Sequence, residues 1–456
     1  MHLFGTGGIR GIIHKDITPE LFAEIAKAVA STLSLGSRVC IATDTRVSRD
    51  ILKDAIISGL LPCGISVTDL GILPTPALAL LTRELGFDTG VMVTASHNPP
   101  EFNGIKLFRR DSFGYSREEE EEIERAFLRK GFRTAGWEDS GVLDSGDQAW
   151  ESYFRRIAGS LPPQNANHHL KLLIDPGNGA GSGLIPDLFQ GLGFDVTAIN
   201  DEPDGLFPGR GSEPREDTLK DTVEFLKRKN ADLAICFDGD ADRVVFCDRE
   251  GFLGYNEMIA VISRLVIKDS STKKVATTVE TGRLLDMALA DLGADVVRGQ
   301  VGDVNLAYLV DELHAPIGVE QVGVYIMPEI GHYPDSIFAT LLLLAQISEV
   351  KEIRSFFQSM PRLFFQKTKI PCPDESKHRV MEKIASQGHT FSAGHINTTD
   401  GLRFEFEDSW MLIRASGTEP AIRVIAESKS SEKTNQLLSR GSQLAEETVK
   451  RLGMIA

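Results

Sequence analysis

The sequence predicts an α/β protein of several domains: three related α/β units with parallel or mixed sheets, then a smaller C-terminal α+β unit. Three observations lead there. A strand–helix–strand unit recurs three times along the chain. The last 90 residues abandon that rhythm for short strands and one long helix. And 456 residues exceed what one hydrophobic core organises, which argues for about three or four domains.

The first copy runs from a strand at Arg38–Ala42 through a loop with Asp44 and a helix at Ile51–Leu61 to the segment C-G-I-S-V-T-D-L-G, residues 63–71. The second has a strand at Leu170–Ile174, the loop D-P-G-N-G-A-G, a helix at Leu184–Leu192 and then G-F-D-V-T-A-I. The third has Lys273–Val279, the loop E-T-G-R, a helix at Leu284–Leu292 and then G-A-D-V-V-R-G. Each helix is followed by a glycine suited to cap its C-terminus before a short strand. A strand–helix–strand crossover places two strands parallel, with the helix on a face of the sheet. The acidic run Arg117–Lys130 reads as an amphipathic helix with Ile123, Ala126 and Phe127 inward. From about Gln366 the pattern predicts strands at Gly401–Phe406, Trp410–Ala415 and Ala421–Ala426 and a closing helix at Glu432–Leu452. The expected domains are therefore 1–155, 156–255, 256–366 and 367–456.

Composition narrows the partners. A formal charge of −16 argues against a nucleic-acid or anionic-membrane surface, while leaving room for a local anion site. The five cysteines form no C-x-x-C pair and read as free thiols in a reducing compartment. The start of the chain has no apolar signal core, and the apolar stretch at 337–347 is too short to span a bilayer. The expectation is a soluble cytoplasmic protein.

Three loops carry the chemistry. In D-G-D-A-D-R (238–243), Asp238, Asp240 and Asp242 would crowd like charges unless a cation sits among them. An EF-hand is excluded, because Arg243 and Arg249 stand where glycine and glutamate are required. Open positions beside three carboxylates suit magnesium bound partly through a phosphate. In T-A-S-H-N-P (94–99), Ser96 follows an apolar run without the glycines of a hydrolase elbow. As a phosphoserine it would have a usable leaving oxygen once a metal withdraws charge. In R-A-S-G-T-E-P (414–420), Arg414, Ser416, Gly417 and Thr418, with Arg423 just beyond, form a compact set of anion donors. Arg10, Arg46 and Lys106 are further polar groups beside strands; individually Arg46 reads as well as a surface charge and Lys106 as a solvated strand end. The loop at 175–183 fails the dinucleotide fingerprint at Ser182, and no P-loop is present.

With these motifs in place, the chain resembles the α-D-phosphohexomutase superfamily, in its phosphoglucosamine mutase and phosphomannomutase/phosphoglucomutase branch. The resemblance runs over the whole length: F-G-T-G-G-I-R-G (4–11), D-T-R (44–46), T-A-S-H-N-P-P-E-F-N-G-I-K (94–106), D-G-D-A-D-R and R-A-S-G-T-E-P. It implies four domains around a central cleft. It also implies Mg²⁺ held by Ser96, Asp238, Asp240 and Asp242, with Ser96 as the phosphoserine. Arg10, His97, Lys106 and Arg243 would work at the transfer end, and Arg414, Ser416, Gly417, Thr418 and Arg423 would hold the substrate's other phosphate. The implied reaction moves a phosphoryl group between the 1- and 6-positions of a hexose or hexosamine monophosphate, with a hexose 1,6-bisphosphate as intermediate and activator. The implied assembly is a monomer or homodimer.

One loop departs from the resemblance. Where the superfamily reads G-E-x-S-G-H for sugar recognition, residues 319–324 read V-E-Q-V-G-V. Glu320 is kept and Gln321 resembles the phosphoglucosamine mutases, but Val322 and Val324 replace polar groups. Losing two hydrogen-bonding groups can change substrate choice. Phosphoglucosamine mutase is the leading expectation; phosphomannomutase/phosphoglucomutase and a catalytically weak sugar-phosphate-binding paralogue are the alternatives.

Overall fold

The three predicted crossovers form, each seeding one sheet. A computed structural model describes residues 3–5, 7–161, 169–387, 391, 393–417 and 419–452. In the first domain the strand Arg38–Thr43 lies parallel between Ser66–Ile72 and Thr89–Val93, and Phe102–Arg109 then returns antiparallel to the latter. The second repeats this with Lys171–Asp175 between Asp195–Ala198 and Leu233–Phe237, followed by antiparallel Val244–Asp248. The third has Lys274–Thr278 between Asp295–Gly299 and Ile317–Glu320, followed by antiparallel Val324–Ile326. All three sheets are therefore mixed. The predicted glycine caps are present: Gly64, Gly193 and Gly293 adopt φ of 72°, 93° and 65°, a left-handed conformation that ends the helix cheaply only where there is no Cβ.

The fourth domain is a wholly antiparallel five-stranded sheet in which Ser409–Ala415 lies between Leu402–Glu405 and Ala421–Ser428. The helix Ser431–Arg451 covers it, with Leu437, Ala445 and Val449 inward. The acidic segment forms the helix Arg117–Arg129, with Ile123 and Phe127 buried. Glu124 is buried as well, because its carboxylate accepts the backbone N–H groups of Leu3 and Phe4.

The packing fixes how the first three domains meet. The helix Thr75–Glu84, buried from Thr75 to Thr82, joins one continuous apolar cluster with Phe237 and Phe246 of the second domain and Tyr333 and Ile337 of the third. The apolar stretch noted in the sequence is the core helix Ser336–Gln346. Among the described residues no helix is long and apolar enough to cross a membrane.

Candidate active site

The repeat puts three functional loops at equivalent places. Ser96 and the aspartates lie between the third, parallel strand of a unit and its antiparallel return, and Glu320 ends the corresponding strand of the third unit. Each of these turns holds one non-glycine residue at positive φ: Ser96 at 50°, Ala241 at 56° and Val322 at 79°. Such conformations are uncommon, and for a β-branched valine they are true outliers, which concentrate at functional turns.

Arg46 builds the serine loop. Its guanidinium is sealed from solvent beside Asp44 at 3.0 Å and donates to the carbonyls of Ser96, Asn98, Pro99 and Phe102. It is therefore a scaffold and not a surface charge, since burying a guanidinium requires a carboxylate and a full set of acceptors. The Ser96 N–H donates to Thr94 Oγ1 at 2.8 Å. Ser96 Oγ then points across the domain junction to donate to Asp238 Oδ2 at 2.8 Å, with His97 Nδ1 at 3.3 Å.

The aspartate loop is pressed against this turn. A Cβ on Gly239 would meet Ser96 O at 2.7 Å, and one on Gly179 would meet Gly239 O at 2.5 Å. Gly179 thus serves close backbone packing behind the acidic turn. Asp238, Asp240 and Asp242 bring one carboxylate oxygen each within 4.8 Å of one another, all buried. Burial, then Asp242 and Asp240, pushes the Asp238 carboxyl far above its usual range. Asp240 Oδ1 and Asp242 Oδ1 are buried without a hydrogen-bond partner. Unpartnered oxygens among mutually repelling carboxylates are what a hard divalent cation satisfies, so the residues present fit Mg²⁺.

Lys106 is not a solvated strand end either. Its buried ammonium donates to Asp240 Oδ2 and Asp242 Oδ2, each at 2.7 Å, and to Tyr333 OH at 2.9 Å. Burial opposes its charge, but Asp240 and Asp242 outweigh burial and hold it protonated above the usual lysine range. Thr75 Oγ1 donates to Asp240 Oδ2 at 2.6 Å, and Tyr333 OH to Asp242 Oδ2 at 2.8 Å. Arg243, burial and Arg10 push His97 down to about 2, so its imidazole is neutral. Arg10 donates to Asn98 Oδ1 at 3.2 Å, while its Nε is buried without a partner. Arg243 Nε lies 3.8 Å from Asp242 Oδ1.

A second centre, of two arginines with carboxylate partners, lies on the fourth domain. Arg414 and Arg423 are register partners on the hairpin strands Ser409–Ala415 and Ala421–Ser428. Arg414 is nearly buried, with Nη1 at 2.7 Å from Glu280 Oε1 and Nη2 at 3.1 Å from Asp400 Oδ2. Ser416 and the exposed Gly417 form the hairpin turn, and Lys377 Nζ donates to Ser416 O at 2.6 Å. Thr418, also expected here, lies outside the described residues. Arg243 and Arg414 both favour the charged form of Glu320, so it lies within electrostatic reach of both centres. Burial first, then Asp303 and Glu280, push its carboxyl up to about 8.

The two valines of this loop do not line a bare cleft wall. Val324 is buried with Phe113, Leu306 and Ile326, and Val322 packs against the same cluster. Apolar packing on the first domain's Phe113 takes the place of the polar groups. Thr75, Asp303, Tyr333, Glu280 and Lys377 were invisible in the sequence as site residues, because tertiary contacts alone bring them here. Only Thr75 carried a local hint, in the P-T-P turn that opens its helix.

Comparison with known proteins agrees with this geometry along the whole chain. The family models for phosphoglucomutase/phosphomannomutase match in order: alpha/beta/alpha domain I at residues 1–134, domain II at 151–251, domain III at 255–363 and the C-terminal domain at 368–440. A relative from Pyrococcus abyssi named "Probable phosphoglucosamine mutase" is 38% identical over 450 residues, covering 98% of both chains. A "Phosphoglucomutase/phosphomannomutase" from Thermococcus kodakarensis is 37% identical over 455 residues, covering 98% of this chain and 99% of its own. The crystal structure of a phosphoglucomutase/phosphomannomutase family protein from Burkholderia thailandensis shares the fold at a TM-score of 0.85 and 24% identity, covering 99% and 97% of the two chains. The class is that of the phosphohexomutases, isomerases that act as intramolecular phosphotransferases. Within the α-D-phosphohexomutase superfamily, the chain belongs to the phosphoglucomutase/phosphomannomutase family.

Proposed function

We propose that this chain is a Mg²⁺-dependent phosphosugar mutase that moves a phosphoryl group between the 1- and 6-positions of glucosamine phosphate through phospho-Ser96 and a hexose 1,6-bisphosphate. The observation that carries this reading is Ser96 Oγ at 2.8 Å from Asp238 Oδ2, inside a trio of buried carboxylates. Asp238, Asp240 and Asp242, with the phosphate on Ser96, would hold the ion. When bound, Mg²⁺ neutralises phosphoryl charge and eases departure of the serine oxygen.

The protein's own groups supply the rest. Arg10, bonded to Asn98 of the serine loop, and Arg243, beside Asp242, would donate to phosphoryl oxygens. Lys106, fixed by two carboxylates and Tyr333, presents a permanent positive charge. His97 is neutral and contributes a hydrogen bond at Ser96 Oγ, not a charge. Phosphoryl transfer depends chiefly on such positioning and electrostatics. In the first transfer the Ser96 Oγ–P bond breaks as a bond forms from phosphorus to a sugar hydroxyl oxygen, and the proton that hydroxyl loses is matched by the one the freed Ser96 Oγ gains. The bisphosphate turns over, and its other phosphate returns to Ser96. Arg414, Ser416, Gly417, Thr418 and Arg423 grip whichever phosphate is not reacting, so remote binding energy orients either end of the sugar. Glu320, within electrostatic reach of both centres, accepts hydrogen bonds from the sugar.

The phosphoglucosamine mutase name of the Pyrococcus abyssi relative, and Gln321, favour glucosamine phosphate. The name of the Thermococcus kodakarensis relative favours mannose or glucose phosphate as a second reading. We place the protein in the reducing cytoplasm, in keeping with five free, buried cysteines. The test is to offer glucosamine, mannose and glucose 6-phosphates with Mg²⁺ and a trace of hexose bisphosphate. Isomerisation fastest with glucosamine phosphate supports the first reading, a preference for mannose or glucose phosphate the second, and binding without isomerisation refutes both.

A further inference from the structure

The acid at the end of the first strand of each α/β repeat has an arginine partner, and the third copy breaks the pattern. Asp44 pairs with Arg46 at 3.0 Å and Asp175 with Arg210 at 2.9 Å, both sealed from solvent. Both arginines also hold backbone carbonyls of their own scaffold, as Arg210 does at Asp175 O and Phe237 O. In the third copy the acid is Glu280, whose side chain retains 13% exposure and whose partners belong to the fourth domain. Its Oε1 accepts from Arg414 Nη1 at 2.7 Å and lies 3.8 Å from Arg423 Nη1.

Together with Asp400, Glu280 leaves the clamp with two guanidiniums, two carboxylates and no net charge. A clamp in that state exerts little pull on a dianion, and a carboxylate oxygen lies where a phosphate oxygen would bridge the two arginines. The loop that carries Glu280 is anchored independently of it. Arg403 Nη1 donates to Val279 O at 2.6 Å and Thr281 O at 2.9 Å, and the Arg283 N–H donates to Glu427 Oε1 at 2.8 Å. The side chain can therefore swing away while the contact between the third and fourth domains holds.

We propose that Glu280 is an internal counter-ion of the phosphate clamp. It holds Arg414 and Arg423 in register between ligands and yields to the substrate's non-reacting phosphate. It competes with that phosphate again when the bisphosphate has to let go and turn over. This last step rests on the mutase reading above; the first two concern anion binding alone.

Glu280→Gln, with Glu280→Ala beside it, tests the idea in the full-length protein. Inorganic phosphate, titrated calorimetrically, should bind on the order of tenfold more tightly than to wild type, since one opposing charge is gone. In turnover KM and kcat should fall together, because the bisphosphate leaves the clamp more slowly. Weaker or unchanged phosphate binding in both variants would overturn the proposal, the weaker result marking Glu280 as a mere support for the arginines. A crystal of the wild-type protein soaked in inorganic phosphate reads the same question without a mutation. Phosphate on Arg414 with Glu280 displaced is expected, and Glu280 still bonded to Arg414 beside bound phosphate would refute it. Should wild type isomerise no hexose phosphate, the mutase reading fails while these phosphate measurements still decide the counter-ion role.

Discussion

Ser96 Oγ and Asp238 Oδ2 meet at 2.8 Å across the junction of the first and second domains, each at the tip of an equivalent turn in its repeat. Each turn is held by residues of its own domain. The serine turn is gripped by Arg46, and the aspartate turn is backed by Gly179 against Gly239.

Removing the Arg46 fork should therefore loosen the serine turn. Arg46→Lys supplies a compact ammonium in place of a planar fork bonded to Asp44 and four carbonyls. The expected cost is about 1–3 kcal/mol of stability, because an ammonium leaves some of these buried carbonyls unpaired. Urea unfolding measures the cost, and kcat should fall far more than KM changes.

Lys106 lessens the dependence of stability on Mg²⁺, because its ammonium already offsets two of the carboxylates. Lys106→Met leaves Asp240 and Asp242 facing one another without their ammonium, a loss of about 3–5 kcal/mol in the metal-free protein. Mg²⁺ should then raise the melting temperature of the variant more than that of wild type. Equal metal-induced shifts would contradict the placement of the ion among these carboxylates.

Gly179→Ala tests backbone approach behind the metal loop. The added Cβ would lie 2.5 Å from Gly239 O, so the acidic turn has to shift. Weaker Mg²⁺ binding by calorimetry, with an otherwise folded protein, is expected.

Glu320 predicts a pH dependence of stability. Its carboxyl is raised from 4.5 to about 8 in the folded protein, with burial the largest cause. The folded state thus binds a proton that the unfolded chain releases. The associated stability is fully present below about pH 4.5 and is lost as pH rises through about 8. Urea unfolding of the metal-free protein between those limits should show this decline, and Glu320→Gln should show less of it.

Much of this was legible in the sequence because it is local. Strand–helix–strand rhythm, glycine caps and the two-residue spacing of Asp238, Asp240 and Asp242 are properties of short segments, and they gave the sheets and the acidic turn. Arg46 and Lys106 were ambiguous because their burial depends on acceptors tens or hundreds of residues away. Tyr333 and Glu280 had no local signature, since each acts on another domain. Val322 and Val324 were seen as substitutions, but that they pack with Phe113 and Leu306 is a fact of tertiary structure.

Phosphorus NMR of glucosamine 6-phosphate, incubated with the protein, Mg²⁺ and a trace of glucose 1,6-bisphosphate, tests the central claim most directly. The account predicts that the 1-phosphate resonance grows with wild type and is absent with Ser96→Ala. Equal growth with Ser96→Ala, or release of inorganic phosphate alone by wild type, would contradict it.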